Sequence, residues 1–281
     1  MTAITSERLG RLVDIKADSD LIREALEQAV GTREPLRLAT FFARYTSWNG
    51  FFGPGVASLA GKIGRARRLF IDPNEPLAAA ADRSMLVASF FFDAARDEFD
   101  DHGTPERDPH RSLAQAFLKG LFQFALPNTS AVQLSAMAAD PVWLTALNNE
   151  VAGGYGAYRP DDLPSLFRAM GYHLGSELLA DQEFSIIDAT LRAQMADLVA
   201  HLTRAKVQIG PQSHDAYRWI SVHSAQGCAA EAEHFEWASK GVNVAFEYVP
   251  PELHRDLQRQ VERGFVAFAH DQREFFHHVN Q

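Results

Sequence analysis

Apolar residues recur at spacings of three and four along almost the whole chain, and this rhythm restricts the fold more than any other feature. It predicts helices over 18–30, 35–48, 53–66, 81–101, 110–125, 128–138, 141–153, 162–181, 184–205, 212–240 and 251–277. Several helix ends are legible. Pro160-Asp161-Asp162 stands before the apolar run of Leu166, Phe167 and Met170. Pro250-Pro251 stops one helix and suits the first turn of the next. Gly103, Pro105 and Pro109 break the chain between two helices. Strand signals are weak. Residues 242–249 form one strand-like run, but a lone strand has no partner, so the run reads as continuing helix or apolar loop. No repeat, low-complexity tract or linker divides the chain. The expectation is an all-α, up-and-down helical bundle forming a single domain over residues 1–281.

Composition narrows the function classes. The chain has 281 residues, 46% hydrophobic and 22% charged, which is enough for a substantial core. Its net charge of -9 and the lack of any long Lys/Arg run argue against nucleic acid as a partner. The densest basic stretch, Lys62 to Arg68, is short and reads as a solvated helix end. A single cysteine, Cys228, excludes an internal disulfide and a thiolate metal cluster, and fits a reducing compartment. The first twenty residues lack the apolar stretch of a signal peptide. No run approaches about 18 apolar residues, so no membrane partner is expected and a cytoplasmic location is.

The informative residues are ionisable ones on faces that should be buried. A lone buried carboxylate is costly unless it is paired or bound to a metal. On the helix near 81–101, Val87, Phe91 and Ala94 mark an apolar stripe that continues to Glu98, whereas Asp97 follows the more polar Asp93. On the next helix, His110 lies one turn before the stripe Ala114, Phe117, Leu121 and Phe124. On 162–181, Met170, His173, Leu174 and Glu177 share a face, and His173 could supply a plain hydrogen bond to Glu177. On 212–240 taken as one helix at about 100° per residue, His223, Gly227, Glu231 and His234 fall within roughly an 80° arc. The step Glu231-x-x-His234 matches the Glu-x-x-His motif of di-iron carboxylate bundles. Glu98, His110, Glu177, His223, Glu231 and His234 together make three carboxylates and three imidazoles. Such a set suits two irons with open positions for oxygen, and suits manganese as well.

These residues carry a resemblance. The stretch Asp97-Glu98-Phe-Asp-Asp-His-Gly103-Thr-Pro105-Glu106-Arg107-Asp-Pro-His110 and the later Gly171-Tyr-His-Leu-Gly175-Ser-Glu177 resemble the haem-oxygenase-like di-iron oxidases. The likeness covers roughly Arg83 to Ala238. By that resemblance Glu98, His110 and Glu177 would be the first three metal ligands, with Asp100 a rival for Glu98. Glu231 and His234 would stand for the family's Asp-x2-His pair. Gly227 occupies the place of an expected histidine, for which His223 is the candidate replacement. The resemblance implies a haem-oxygenase-like bundle, often a homodimer, holding two Fe(II) per chain that activate O2 to a peroxo species. It further implies an oxidase or oxygenase acting on an amino-acid-like or related natural-product precursor, by hydroxylation, desaturation, cyclisation or C–C cleavage.

Other readings are a metal-free oxidase of the same fold and a non-enzymatic helical partner protein. Haem is disfavoured, because none of the 11 histidines precedes His102 and no first-helix ligand exists. The aromatic cluster Phe41, Phe42, Tyr45, Trp48, Phe51 and Phe52 reads as core.

Overall fold

The computed structural model describes residues 3–32, 34–100, 107–224 and 230–281, with backbone alone at 131, 181 and 230–233. It is an all-α bundle with one small hairpin. In order the helices are α1 (Ser6–Gly10), α2 (Ile15–Gly31), α3 (Pro35–Asn49), α4 (Phe52–Arg65), α5 (Ser84–Phe99), α6 (His110–Ala125), α7 (Ala131–Met137), α8 (Val142–Gly154), α9 (Leu163–Gln194) and α10 (Ala196–Arg204). Strands β1 (Lys206–Ile209) and β2 (Gln212–Asp215) follow, then α11 (Arg218–His223), α12 (Ala230–Glu247) and α13 (His254–His278), the last preceded by a 3-10 turn at Pro251–Leu253.

Helix α9 is the centre of the bundle. Asp162 caps it by accepting the Ser165 N–H at 2.8 Å, and a proline sits in its first turn. Leu166, Phe167, Met170, Tyr172, Leu174, Phe184, Ile187 and Leu191 are all buried, so the helix is apolar on more than one side, as an interior helix must be. Helices α2, α4, α12 and α13 pack along it. Its closest neighbour is α13. A Cβ added to Gly171 would lie 2.0 Å from the Val261 carbonyl oxygen, and one on Gly264 would lie 1.9 Å from that of Arg168. Two glycines facing opposite backbones thus set the spacing of this helix pair.

The structure corrects two sequence expectations. The two helices expected over 162–181 and 184–205 are one helix to Gln194, with the break at Met195 (φ -132, ψ 44). Residues 182 and 183 are held inside it by tertiary partners: Gln182 accepts from Ser19 Oγ, and Glu183 accepts from Tyr45 and Gln272. The helix expected over 212–240 is three elements. Its start is β2, paired antiparallel with β1 in the register Val207 opposite His214, around Gly210 at φ +57, a conformation cheap for glycine. Its remainder is split between α11 and α12. Residues 242–247 do continue the helix, as expected.

Glu183 is fully buried. Tyr45 Oη donates to its Oε2 at 2.9 Å and Gln272 Nε2 to its Oε1 at 2.5 Å. Burial nevertheless wins over these two donors and pushes the carboxyl up from 4.5 to about 7.

Two outcomes test this description. Gly171→Ala should destabilise the protein by about 3 kcal/mol or more in denaturant unfolding, because backbone cannot yield to the new methyl. Gly61→Ala, in α4 with nothing near its missing side chain, should be neutral or slightly stabilising; equal losses at both sites would contradict the close α9–α13 approach. For Glu183 the folded state holds a proton that the unfolded chain has released between pH 4.5 and about 7. Stability must therefore fall as pH rises through that window, by roughly 3 kcal/mol from this group. Glu183→Gln should flatten the fall, measured as unfolding free energy against pH; an unchanged slope would show that the group titrates normally.

Candidate metal centre

The C-terminal turn of α5 delivers two consecutive carboxylates. Val87, Phe91 and Ala94 are buried on the core side, and Glu98 is the next residue on that stripe, as expected from the sequence. Neighbouring side chains on a helix diverge by about 100°, so Asp97 and Glu98 meet different partners. Glu98 Oε1 lies 3.2 Å from His110 Nδ1, and Asp97 Oδ2 lies 3.1 Å from His234 Nε2.

The first group is Glu98, His110 and His223. His110 opens α6 directly after Pro109, and its ring is buried. His223 ends the six-residue α11, buried with Trp219, Ile220 and Val222. Its Nε2 is 3.1 Å from His110 Nδ1. Its Nδ1 lies 2.7 Å from the Trp219 carbonyl, which can only accept, so Nδ1 carries the proton and Nε2 presents a lone pair. Phe184 stacks on the same ring at 4.4 Å and fixes its plane. One donor atom from each of the three residues lies within 4.8 Å of the others, so the group could hold a metal ion.

The electrostatics agree with that use. Burial, reinforced by the His110 ring, pushes His223 down to about 4, so the imidazole is neutral near pH 7. For Glu98 burial works upward, but the neighbouring His110, with lesser help from His223 and His234, outweighs it and holds the carboxyl below its ordinary value. A neutral imidazole beside an ionised carboxylate is the protonation state a cation requires.

The second group adjoins the first. His234, near the start of α12, has Nδ1 3.4 Å from Glu177 Oε2 and Nε2 3.1 Å from Asp97. Glu177 Oε1 lies in turn 3.2 Å from His173 Nδ1, one turn earlier on α9. His173 is fully buried, burial holds its pKa down, and its Nε2 has no hydrogen-bond partner among the described residues.

Five of the six expected ligands are thus placed. Glu98, His110 and His223 form one group, and Glu177 and His234 the next. His223 and His234 do not share a helix face, as the single 212–240 helix had required; they arrive on α11 and α12 separately. Glu231 lies in the first turn of α12, but its side chain, like Gly227 and Cys228, is outside the described residues. Asp100 does not compete for the first group: it caps α5 and pairs with Arg107 at 2.5 Å. Asp97 was missed, because its own helix places it on the polar Asp93 stripe and its pairing with His234 comes from α12. His214, at the start of the helix expected over 212–240, is buried on β2 with Nδ1 3.1 Å from Asp108 Oδ1, beside the start of α6.

A cavity of about 180 Å3 opens beside the first group, lined by Asn49, Gly50, Glu98, His110, Arg111 and Trp219 among others. A Cβ on Gly53 would reach within 2.9 Å of Glu98 Oε2, so glycine there leaves the carboxylate room.

The oxygen and nitrogen donors of these groups suit a divalent first-row cation, with no thiolate among the described residues. Titration of metal-free protein with Co(II), followed by its visible bands, should show tight binding. His110→Ala and His223→Ala should each weaken it by about a hundredfold, whereas Asp100→Asn should leave it unchanged. Equal affinity in all four proteins would mean that the group is a hydrogen-bonded cluster and not a metal site. Compared with models of known families, with curated proteins and with solved structures, the chain finds no match.

Proposed function

We propose that this chain is a non-haem di-iron enzyme that uses O2 to oxidise a small, amino-acid-like or related precursor, as its resemblance to the haem-oxygenase-like di-iron oxidases implies. The observation that carries this is the pair Asp97-Glu98, whose carboxylates each reach an imidazole of a different group. Two donor groups so joined suit two ions that work on one oxygen molecule. Glu98, His110 and His223 would hold the first, and Glu177 and His234 the second, with Glu231 completing it through the Glu-x-x-His step. Bound iron would supply the electrons and open coordination positions that dioxygen reduction needs.

The chain's own residues supply the rest. The Trp219 carbonyl and the Phe184 ring hold His223 in one tautomer and one plane. The buried aromatic wall around Trp219 and Phe184 keeps water from the inner face of the centre. The adjoining cavity would let a substrate reach Glu98 and His110 without passing through the core.

A second reading is favoured by the tighter packing of the first group: one metal at Glu98, His110 and His223, with Asp97, His234 and Glu177 as a supporting hydrogen-bond network. Anaerobic loading with ferrous iron separates the two. Two irons per chain, falling to about one in Glu177→Ala, and a coloured transient on oxygen exposure are expected of the di-iron enzyme. One iron that Glu177→Ala leaves in place means the mononuclear centre. Less than one iron in the wild type sinks both.

A further inference from the structure

The cavity beside the first group contains a cation with no anionic partner among the described residues. Arg111 follows His110 in the first turn of α6. Its Nη1 donates to the Thr46 carbonyl at 2.8 Å, and this is its one hydrogen bond among the described residues. The guanidinium lies over Gly50. A Cβ there would fall 1.5 Å from Nη1 and 2.5 Å from Cζ, so the arginine holds this position because residue 50 has no side chain. Nε and Nη2 are left to other partners. Glu98 lines the same cavity, yet its carboxylate is committed to His110. Asn49, also on the wall, has a side-chain amide with no hydrogen bond among the described residues. The remaining walls are mainly apolar: Pro54, Phe99, Ala114 and Trp219.

From this placement we infer that Arg111 is the anchor for the carboxylate of a small monocarboxylate substrate, whose apolar body lies against Trp219 and Phe99 and whose far end points to Glu98 and His110. The inference rests on the oxidase reading and names the substrate class for that site. A guanidinium forms two parallel bonds to a carboxylate, which fixes direction as well as presence. The cavity, of about 180 Å3, has room for a compact acid. Arg111 would thus act in binding and orientation, and the metal ligands in chemistry.

The test is a calorimetric titration of benzoate, benzamide, L-leucine and L-leucinamide into the protein as purified and after ferrous loading. Either acid should bind saturably, and its amide at least about tenfold more weakly, the loss of one charge-assisted contact. A preference for L-leucine over benzoate would assign the substrate as an α-amino acid, and the reverse as a plain carboxylic acid. Arg111→Gln should bring acid binding down to the amide level, and Gly50→Ala, which displaces the guanidinium, should do the same. Arg111→Lys should fall between, since a point charge replaces the fork. Arg111 is solvent-exposed, so its variants should keep the wild-type melting temperature and iron content. Equal binding of acids and amides, no saturable binding of either acid, or full acid affinity in Arg111→Gln would overturn the inference. Iron stoichiometry would be untouched by that failure, which keeps it distinct from failure of the di-iron reading.

Discussion

A carboxylate removed from water must find a donor, a cation or a metal, and among the described side chains the central helix α9 carries three such groups. Each is met differently. Asp188 accepts from Tyr217 and Arg192, and Glu183 from Tyr45 and Gln272. Glu177 meets two imidazoles, His173 and His234. The first two arrangements are those of a structural core: hydroxyl, amide and guanidinium groups donate, and the lone pairs are used. The third differs in kind. Imidazole and carboxylate compete for the same proton and serve the same cations, so Glu177 sits in a setting suited to both hydrogen bonding and metal ligation. The elements around α9 are arranged to bring those partners in, from α3 and α13 at one level and from α12 at another.

Close packing makes this possible. The Gly171–Gly264 contact draws α13 onto one side of α9, and with it Gln272, the partner of Glu183. Tyr172 on the same stretch donates to Asp271 of α13 at 2.9 Å. The polar pairs therefore depend on a backbone approach that larger residues would prevent. On the opposite side α5 and α12 pack on each other and supply Asp97 and His234 as a pair. Neither residue has that partner within its own helix.

How much of this was legible follows from the range of each cause. Helix α6 was read with its observed ends because Pro109 and the stripe from His110 are local signals. The inward direction of Glu98 was legible for the same reason: three buried residues before it fix the phase. The break at Met195 and the continuity of α9 through Glu183 were not, since Tyr45 and Gln272 decide the latter from distant parts of the chain. The hairpin was obscured by its content. Gln212, Ser213 and Asp215 are exposed and polar, and His214 is buried only because β1 and α6 cover it. Asp97 and Arg111 share this limit. One looks like part of a polar stripe and the other like an ordinary exposed arginine until neighbouring helices are in place.

His223 joins Glu98 and His110 by a route other than the one the sequence suggested. The sequence argument put it one turn before a missing histidine on a continuous helix. The structure instead ends α11 at His223, and the short helix provides what the long one was meant to. In its last turn the side chain reaches back to the Trp219 carbonyl, four residues earlier. That contact satisfies a carbonyl near a helix end and at the same time fixes which ring nitrogen carries the proton. Helix termination and imidazole orientation are therefore one interaction. A histidine in the middle of a long helix would need a separate partner to set its tautomer. Placed at the end of a six-residue helix, against Phe184 of α9, it obtains tautomer, plane and direction toward His110 from its immediate neighbours.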